Sequence, residues 1–237
     1  MLHRFFLSPE CLENREVYFP REVSHHIRRV LRQRAGDLVV VLDGSGQEWV
    51  VRLEAVGREV GGVVVEMREN QAEPDIAVTL YQGLVKGVKL ETILQKCTEL
   101  GVTRFVPVIT TRSVPPEIGE GRWKRFFAIV REAAEQCGRG RIPTVEEPVQ
   151  FAQAVQSARE EGPMILLWEE ERETSIGRMP RGDGVSIGLF VGPEGGFTRE
   201  EATAVEAAGG RVATLGPRML RAETAAIVGS ALILADH

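Results

Sequence analysis

The sequence is poor in the residues that define several large functional classes. Its three cysteines, Cys11, Cys97 and Cys137, form no CxxC pair, and His3, His25, His26 and His237 supply neither an HExxH nor a Cys/His cluster. A disulfide scaffold and a metal enzyme are therefore not indicated, and no metal is expected. No apolar run is long enough to span a bilayer, and the opening MLHRFFLSPE lacks the apolar stretch of a signal peptide. The expectation is a soluble protein of the reducing cytoplasm with no membrane partner. Also missing are GxxxxGK[ST] and GxGxxG, the two common phosphate-cradling loops.

What is present is an ordinary globular composition, 43% hydrophobic and 27% charged over 237 residues, with a net charge of −5. That charge argues against a protein that coats nucleic acid everywhere, but it hides a local patch. Between Arg21 and Gly36 there are five arginines and one acid, Glu22. A helical reading of SHHIRRVLRQRAGD puts His25, Arg28, Arg29 and Arg32 on one face and turns Val23, Ile27, Val30 and Leu31 inward. Taken alone, the cluster fits a solvated helix face as well as a nucleic-acid contact.

The chain divides by pattern. Residues 37–69 alternate β-branched residues with turns at Asp43-Gly44-Ser45-Gly46 and Gly61-Gly62, as in a small β domain. The polar NQAEPD segment, Asn70 to Asp75, marks the boundary, giving domains of 1–72 and 73–237. From Ile76 onward strands alternate with helices, the signature of a mainly parallel α/β sheet. Strands are predicted in IAVTLYQGL, RFVPVIT, MILLWEE, SIGLFV and RVATL, and helices in KLETILQKCTELG, GRWKRFFAIVREAAEQCG, TREEATAVEAAG and RAETAAIVGSALILAD.

Most telling is LFVGPEGGFTREE, Leu189 to Glu201, where an apolar strand runs into a glycine loop. Thr198 and Glu201 fit a capping box, so a helix begins after Phe197. A strand, glycine loop and helix N-terminus in sequence is where α/β sheets bind ligands, although a tight turn holding nothing has the same pattern. Glu194 would repel a polyphosphate, so a ligand with a cationic or neutral centre fits better. The pattern nearly repeats in GPRMLRAETAA, and LLWEE at Leu166 to Glu170 ends a further strand that could bound the same cleft.

Five segments, HRFF, LQKCTELGV, EQCGRGRIP, FVGPEGGFTREE and LGPRMLRAETAA, together with HHIRRVLRQRAGDLVVVLDGSG, occur in this order along nearly the whole chain. In them the sequence resembles the ribosomal RNA small-subunit methyltransferase E family, of the SPOUT class. The resemblance implies an N-terminal PUA-like β-barrel that binds RNA and a SPOUT-type α/β domain, mainly parallel, whose last segment forms a trefoil knot. It also implies a homodimer that methylates N3 of a uridine in 16S ribosomal RNA with S-adenosylmethionine, leaving S-adenosylhomocysteine. The cofactor would lie against Leu167, Gly192, Glu194, Gly195, Gly196, Leu215, Gly216, Arg218, Leu220 and Thr224.

Uridine N3 carries a proton that must leave before its lone pair can attack, so a group must stabilise the anion or accept the proton. Arg221 is the candidate for the first task. Glu223 either positions Arg221, serves as base, or is simply an acid favoured at a helix N-terminus. RNA candidates are His3, Arg4, Arg28, Arg29 and Arg32, with Lys86, Lys89, Arg139 and Arg141, because arginine pairs with phosphate bidentately and stacks on bases. Phe5 and Phe6 read as stacking residues or, preferably, core. Two positions depart from the family pattern: Ala222 stands where a hydroxyl residue is expected, and Gly140 where asparagine is common.

Three alternatives remain from the residues alone. GxSxG at Gly184 to Gly188 suggests hydrolysis, but Ser186 enters a strand rather than a strand-to-helix elbow, and the sole downstream histidine is His237. A non-catalytic RNA-binding protein would keep the arginine face, yet the glycines of both terminal loops are intact. A SPOUT methyltransferase for transfer RNA or another ribosomal site shares the same motifs, because RNA specificity resides in shape.

Overall fold

The structure, a computed structural model, describes residues 2–113, 119–176 and 186–235. Gly184, Val185 and His237 lie outside the described residues; Ser186 immediately precedes a strand. The chain forms two compact units, Met1–Glu73 with Ala134–Ile142, and Pro74–Ala133 with Pro143–His237.

The first unit is a six-stranded sheet of β1 (Arg4–Phe6), β2 (Leu12–Glu13), β3 (Glu16–Phe19), β4 (Leu38–Leu42), β5 (Gln47–Val56) and β6 (Val60–Glu69), in the order β1-β4-β5-β6-β3-β2. Only β1 and β4 pair in parallel; the other pairs are antiparallel. Phe5, Val17, Phe19, Ile27, Val39, Val41, Val51 and Leu53 fill its core. Phe6 is also buried, against Val40, Leu42 and Ala134, so both adjacent phenylalanines are core residues.

Helix α1 (Arg21–His25) continues into one π-helical turn, His26–Val30, in which Leu31 N–H donates to His26 O. This changes the expected helix face. A π turn needs more residues per revolution than an α turn. Positions four apart, Val23, Ile27 and Leu31, therefore line up inward, and Val30 swings outward to 63% exposure instead of facing the core.

A buried acid organises this unit. Glu48, 4% exposed, accepts from Arg68 Nε at 2.8 Å and Asn70 Nδ2 at 2.8 Å, and lies 3.6 Å from Arg4 Nε. Asn70 Nδ2 also donates to Gly138 O at 2.8 Å. Glu73 receives Arg139 Nη2 at 2.8 Å and the Arg141 backbone N–H at 3.0 Å, which fastens Ala134–Ile142 to the strands.

The second unit contains β7 (Val78–Gly83), α2 (Lys89–Leu100), β8 (Arg104–Ile109), α3 (Glu120–Cys137, its last turn in the first unit), β9 (Thr144–Val145), β10 (Val149–Gln150), α4 (Phe151–Glu161), β11 (Met164–Leu167), β12 (Ile187–Val191), α5 (Arg199–Ala207), β13 (Arg211–Ala213) and α6 (Ala222–Leu234). The sheet order is β10-β8-β7-β12-β11-β13, with β9 beside β8, and every pair is parallel. Every residue of β7, β11 and β12 is buried, which is why β11 and β12 read as continuous apolar runs rather than alternating ones, while β7 also buries Thr79 and Gln82. Helix α4 has no counterpart among the predicted helices. Its box pairs Gln150 with Gln153, outside the Ser/Thr signature, and its buried stripe is the modest Ala154, Val155 and Ala158.

Phe190 stacks on Tyr81 with ring centroids 4.5 Å apart and 7° between planes, at the middle of the sheet. Replacing Phe190 with alanine is expected to cost about 3–5 kcal/mol in chemical denaturation. A cost under about 1 kcal/mol would show that this stack is not central to the core.

Candidate functional site

The glycine loop is held from four sides. Pro193 packs so closely on Gly83, at the end of β7, that a Cβ added at Gly83 would lie 2.5 Å from Pro193 Cδ. Arg112 Nη1 donates to Gly195 O at 2.8 Å and Phe197 O at 3.2 Å, and Trp168 Nε1 donates to Phe197 O at 3.3 Å. Buried Gln82 donates through Nε2 to Gly83 O at 2.9 Å and Gly192 O at 3.3 Å. The capping box is formed: Glu201 N–H donates to Thr198 Oγ1 at 3.2 Å, and Thr198 N–H donates to Glu201 Oε2 at 2.8 Å. The other Glu201 oxygen accepts from Thr111 N–H at 2.9 Å, so this carboxylate, only 6% exposed, has a partner on each oxygen.

Gly196 shows why the loop needs glycine. Its φ is +67°, and a Cβ there would lie 1.9 Å from Glu169 Oε1. The backbone angle is one that side-chain-bearing residues rarely adopt, and any side chain there would also have to displace the Glu169 carboxylate.

The loops after β11, β12 and β13 bound a cavity of about 420 Å³. Of the expected cofactor contacts, Leu167, Gly192, Glu194, Gly196, Leu215, Gly216, Arg218 and Leu220 line it, as do Arg221 and Glu223. Gly195 and Thr224 do not: Gly195 faces Arg112, and Thr224 is exposed on α6 between two lining residues. Sequence reasoning placed LLWEE and GPRMLRAETAA at the cleft but did not single out their Trp168, Glu169 and Met219 as lining residues, and it missed Thr214. Their one signal is position, just past a strand or within the second turn.

The charges at the cavity divide into used and unused. Glu194 is not available as a bare counter-charge, because its Oε1 accepts from Lys89 Nζ at 2.7 Å and Lys86 N–H at 3.1 Å. Burial pushes the Glu194 carboxyl up, but these bonds and one from its own backbone outweigh that and leave it below the ordinary carboxylate range. The acid ties the glycine loop to the start of α2, and Lys89 is committed to the same pair. By contrast Glu169, Arg218 and Arg221 have no side-chain partner among the described residues. Glu223 lies in the first turn of α6, and its Oε2 is buried without a hydrogen-bond partner. Unpaired groups of both signs beside Leu167, Leu215 and Leu220 suit a ligand that is partly apolar and itself carries both charges.

The RNA candidates separate similarly. In the first unit His3, Arg29, Arg32 and Arg141 are exposed. Arg28 is half-buried, with its Nε lacking a hydrogen-bond partner, and Arg4 is half-buried beside Glu48. Arg139 must be corrected: at 2% exposure, paired with Glu73, it is a fastener that no solvent-borne phosphate can reach. Gly140 also has a local explanation, since a Cβ there would lie 2.7 Å from Asn70 Cβ. In the second unit Lys86 is exposed. Among the described residues no helix is long and apolar enough to cross a membrane, and no group of three or more His, Cys, Asp or Glu could hold a metal ion.

Comparison with known proteins places this geometry. A family described as an RNA methyltransferase domain matches residues 72–234, and one described as an RNA methyltransferase PUA domain matches residues 19–59. The chain is 35% identical to a ribosomal RNA small subunit methyltransferase E from Synechocystis sp., over 98% of this chain and 77% of the relative. It is 33% identical to the protein of that name from Bacillus subtilis, over 94% of this chain and 93% of the relative. The crystal structure of a ribosomal RNA small subunit methyltransferase E from Neisseria gonorrhoeae bound to S-adenosyl methionine superposes with a TM-score of 0.90 at 30% identity, covering 99% of this chain and 98% of that one.

The Glu194–Lys89 pair has a pH signature. A depressed folded pKa contributes stability that is present above the ordinary carboxylate value of 4.5 and lost as the pH falls through the folded value. Lys89→Ala is expected to raise the Glu194 titration toward 4.5, seen in a carboxyl NMR titration; an unmoved titration would mean that the lysine does not hold the acid.

Proposed function

The chain belongs to the ribosomal RNA small subunit methyltransferase E family, and on that premise we propose that it methylates N3 of a uridine in 16S ribosomal RNA, using S-adenosylmethionine and leaving S-adenosylhomocysteine. The observation that carries this reading is the set of unpaired charges at a cavity closed by three strand-end loops. The residues fit the cofactor. Leu167, Leu215 and Leu220 offer an apolar slot, the backbones of Gly192, Gly196 and Gly216 offer carbonyl and amide groups, and Glu169 offers negative charge to a sulfonium or ammonium. Arg218 offers a partner for a carboxylate. When bound, S-adenosylmethionine supplies an electrophilic methyl group.

The chain's own task is to make uridine N3 nucleophilic. Arg221 stands exposed at the N-cap of α6, on the cavity wall, and donates to the uracil carbonyl oxygens as negative charge develops on them. Glu223, whose Oε2 has no hydrogen-bond partner, accepts the N3 proton, so that the lone pair left on N3 takes the methyl group. Its unpaired, buried Oε2 on the cavity wall is what favours this role over that of a helix-end acid.

In this reading residues 1–72 are a PUA-like RNA-binding barrel and 73–237 a SPOUT domain with a trefoil knot. The enzyme is a cytoplasmic homodimer; of the small residues of α6, Ala226, Gly229 and Ser230 are buried within the protomer, which leaves Ala225 and Ala231 partly exposed for a partner. His3, Arg29, Arg32 and Arg141 of the first unit and Lys86 of the second contact RNA phosphates.

The test is incubation with methyl-labelled S-adenosylmethionine and small ribosomal subunits from cells lacking the enzyme, with the product nucleoside read by mass spectrometry. Label in 3-methyluridine at one site is expected. Label elsewhere, or none despite cofactor binding, moves the target to another RNA; no label and no cofactor binding leaves an RNA-binding protein. Arg221→Ala should lower turnover about a hundred- to thousand-fold with cofactor affinity unchanged.

A further inference from the structure

Arg112 spends its charge on backbone. Its Nη1 donates to two carbonyls of the glycine loop, Gly195 O at 2.8 Å and Phe197 O at 3.2 Å, and among the described residues it makes no bond to a carboxylate. Glu200, in the first turn of α5, is held below the ordinary carboxylate range chiefly by its own backbone N–H and the Thr198 side chain, with Arg112 a lesser contributor. The turn that carries Arg112 is itself fixed. Thr110 N–H donates to Ser113 Oγ at 2.8 Å, Ser113 Oγ donates to Thr110 O at 2.9 Å, and Thr111 N–H donates to Glu201 Oε1 at 2.9 Å.

Two carbonyl oxygens that converge on one nitrogen repel each other unless a positively charged donor lies between them. The backbone here has little stiffness of its own, because Gly195 and Gly196 are consecutive and Gly196 sits at φ +67°. The arginine stem also lies along the loop, so that a Cβ added at Gly195 would be 3.1 Å from Arg112 Cβ and 3.4 Å from its Cδ. Gly192 and Gly196 line the cavity, whereas Gly195 and Arg112 do not. The guanidinium therefore grips the loop from outside while the loop's inner side meets the ligand.

We propose that Arg112 is a positioning residue for the cofactor: without touching it, the guanidinium holds the glycine loop in the shape that the cofactor fits, so that the loop is ordered before binding rather than by it. This rests on the S-adenosylmethionine reading above. Lysine is a poor substitute, since a compact ammonium on a flexible stem lacks the planar, pre-organised donors of the guanidinium.

The experiment measures binding of S-adenosylmethionine and of S-adenosylhomocysteine by calorimetry to wild type, Arg112→Ala and Arg112→Lys, with and without added methylguanidinium chloride, and the urea unfolding midpoint of each protein without ligand. Arg112→Ala is expected to weaken both ligands about ten-fold, the loss of a charge-assisted bond. The loss should be equal for the two, because the residue acts through loop shape and not on the sulfonium charge. Methylguanidinium should restore affinity to Arg112→Ala and leave wild type unchanged, and Arg112→Lys should recover little. Wild-type affinity in Arg112→Ala would overturn the proposal and leave the methyltransferase reading intact. So would tighter binding of S-adenosylmethionine alone, which would make Arg112 a mere like charge near the sulfur. A lowered unfolding midpoint with affinity that methylguanidinium does not restore would also overturn it, as the mark of a general structural prop. Wild type that binds neither ligand would sink this proposal together with the methyltransferase reading.

Discussion

Parallel pairing of β11 with both β12 and β13 sets the height at which three separate loops leave the sheet. Leu167 stands opposite Val191 on one side and Ala213 on the other, so the chain departs at Trp168, Gly192 and Thr214 from one level. Because β13 lies beyond β11 rather than beside β12, the connection from β12 through α5 must cross over β11. The strand that ends in LLWEE is thereby placed between the two glycine–proline turns. A shift of one residue in either pairing would turn Leu167 to the opposite face and offset the loops by about 3.3 Å, enough to break the cavity's apolar wall. The complete burial of β11 and β12 is what makes such a shift costly.

What could be read from sequence was local. The strand, glycine loop and capped helix from Leu189 onward lie within a dozen residues, and the capping box is a hydrogen-bond pattern three residues long. The fate of each charge was not legible, because partners are far apart in sequence. Glu194 meets Lys89 across 105 residues and Arg139 meets Glu73 across 66. Glu194 was expected to face the ligand and Arg139 to face RNA; in both cases an opposite charge from a distant segment reached them first. The π turn is a different failure, since its extra residue comes from packing of Ile27 and Leu31 against the sheet and carries no composition of its own.

The first unit shows how a basic surface can rest on paired acids, Glu48 buried and Glu73 partly so. Glu48 and Glu73 are committed to Arg4, Arg68, Asn70 and the 134–142 segment. An isolated buried carboxylate would be expensive, but here each has cationic or amide donors on its oxygens, and removing one partner would leave an uncompensated charge. The arginines that satisfy these acids form the scaffold. Arg29 and Arg32, with no such partner among the described residues, keep their charge in solvent, where it acts over about a Debye length on a polyanion.

The same sorting at the cavity explains how one small space can serve two ligands. A group already paired within the protein gains little by turning to a ligand, because it must first break a bond of similar strength. Lys89 and Glu194 therefore fix the loop's shape, and the unpaired groups do the recognising. Those groups fall at different places: Glu169 follows β11 against Gly196, whereas Arg218, Arg221 and Glu223 belong to the turn and first helical turn after β13. In the proposed reaction Glu169 and Arg218 answer the cofactor's charges while Arg221 and Glu223 face the nucleobase. Methyl transfer needs that division, since a base that must ionise at N3 is helped by a guanidinium and hindered by a second carboxylate.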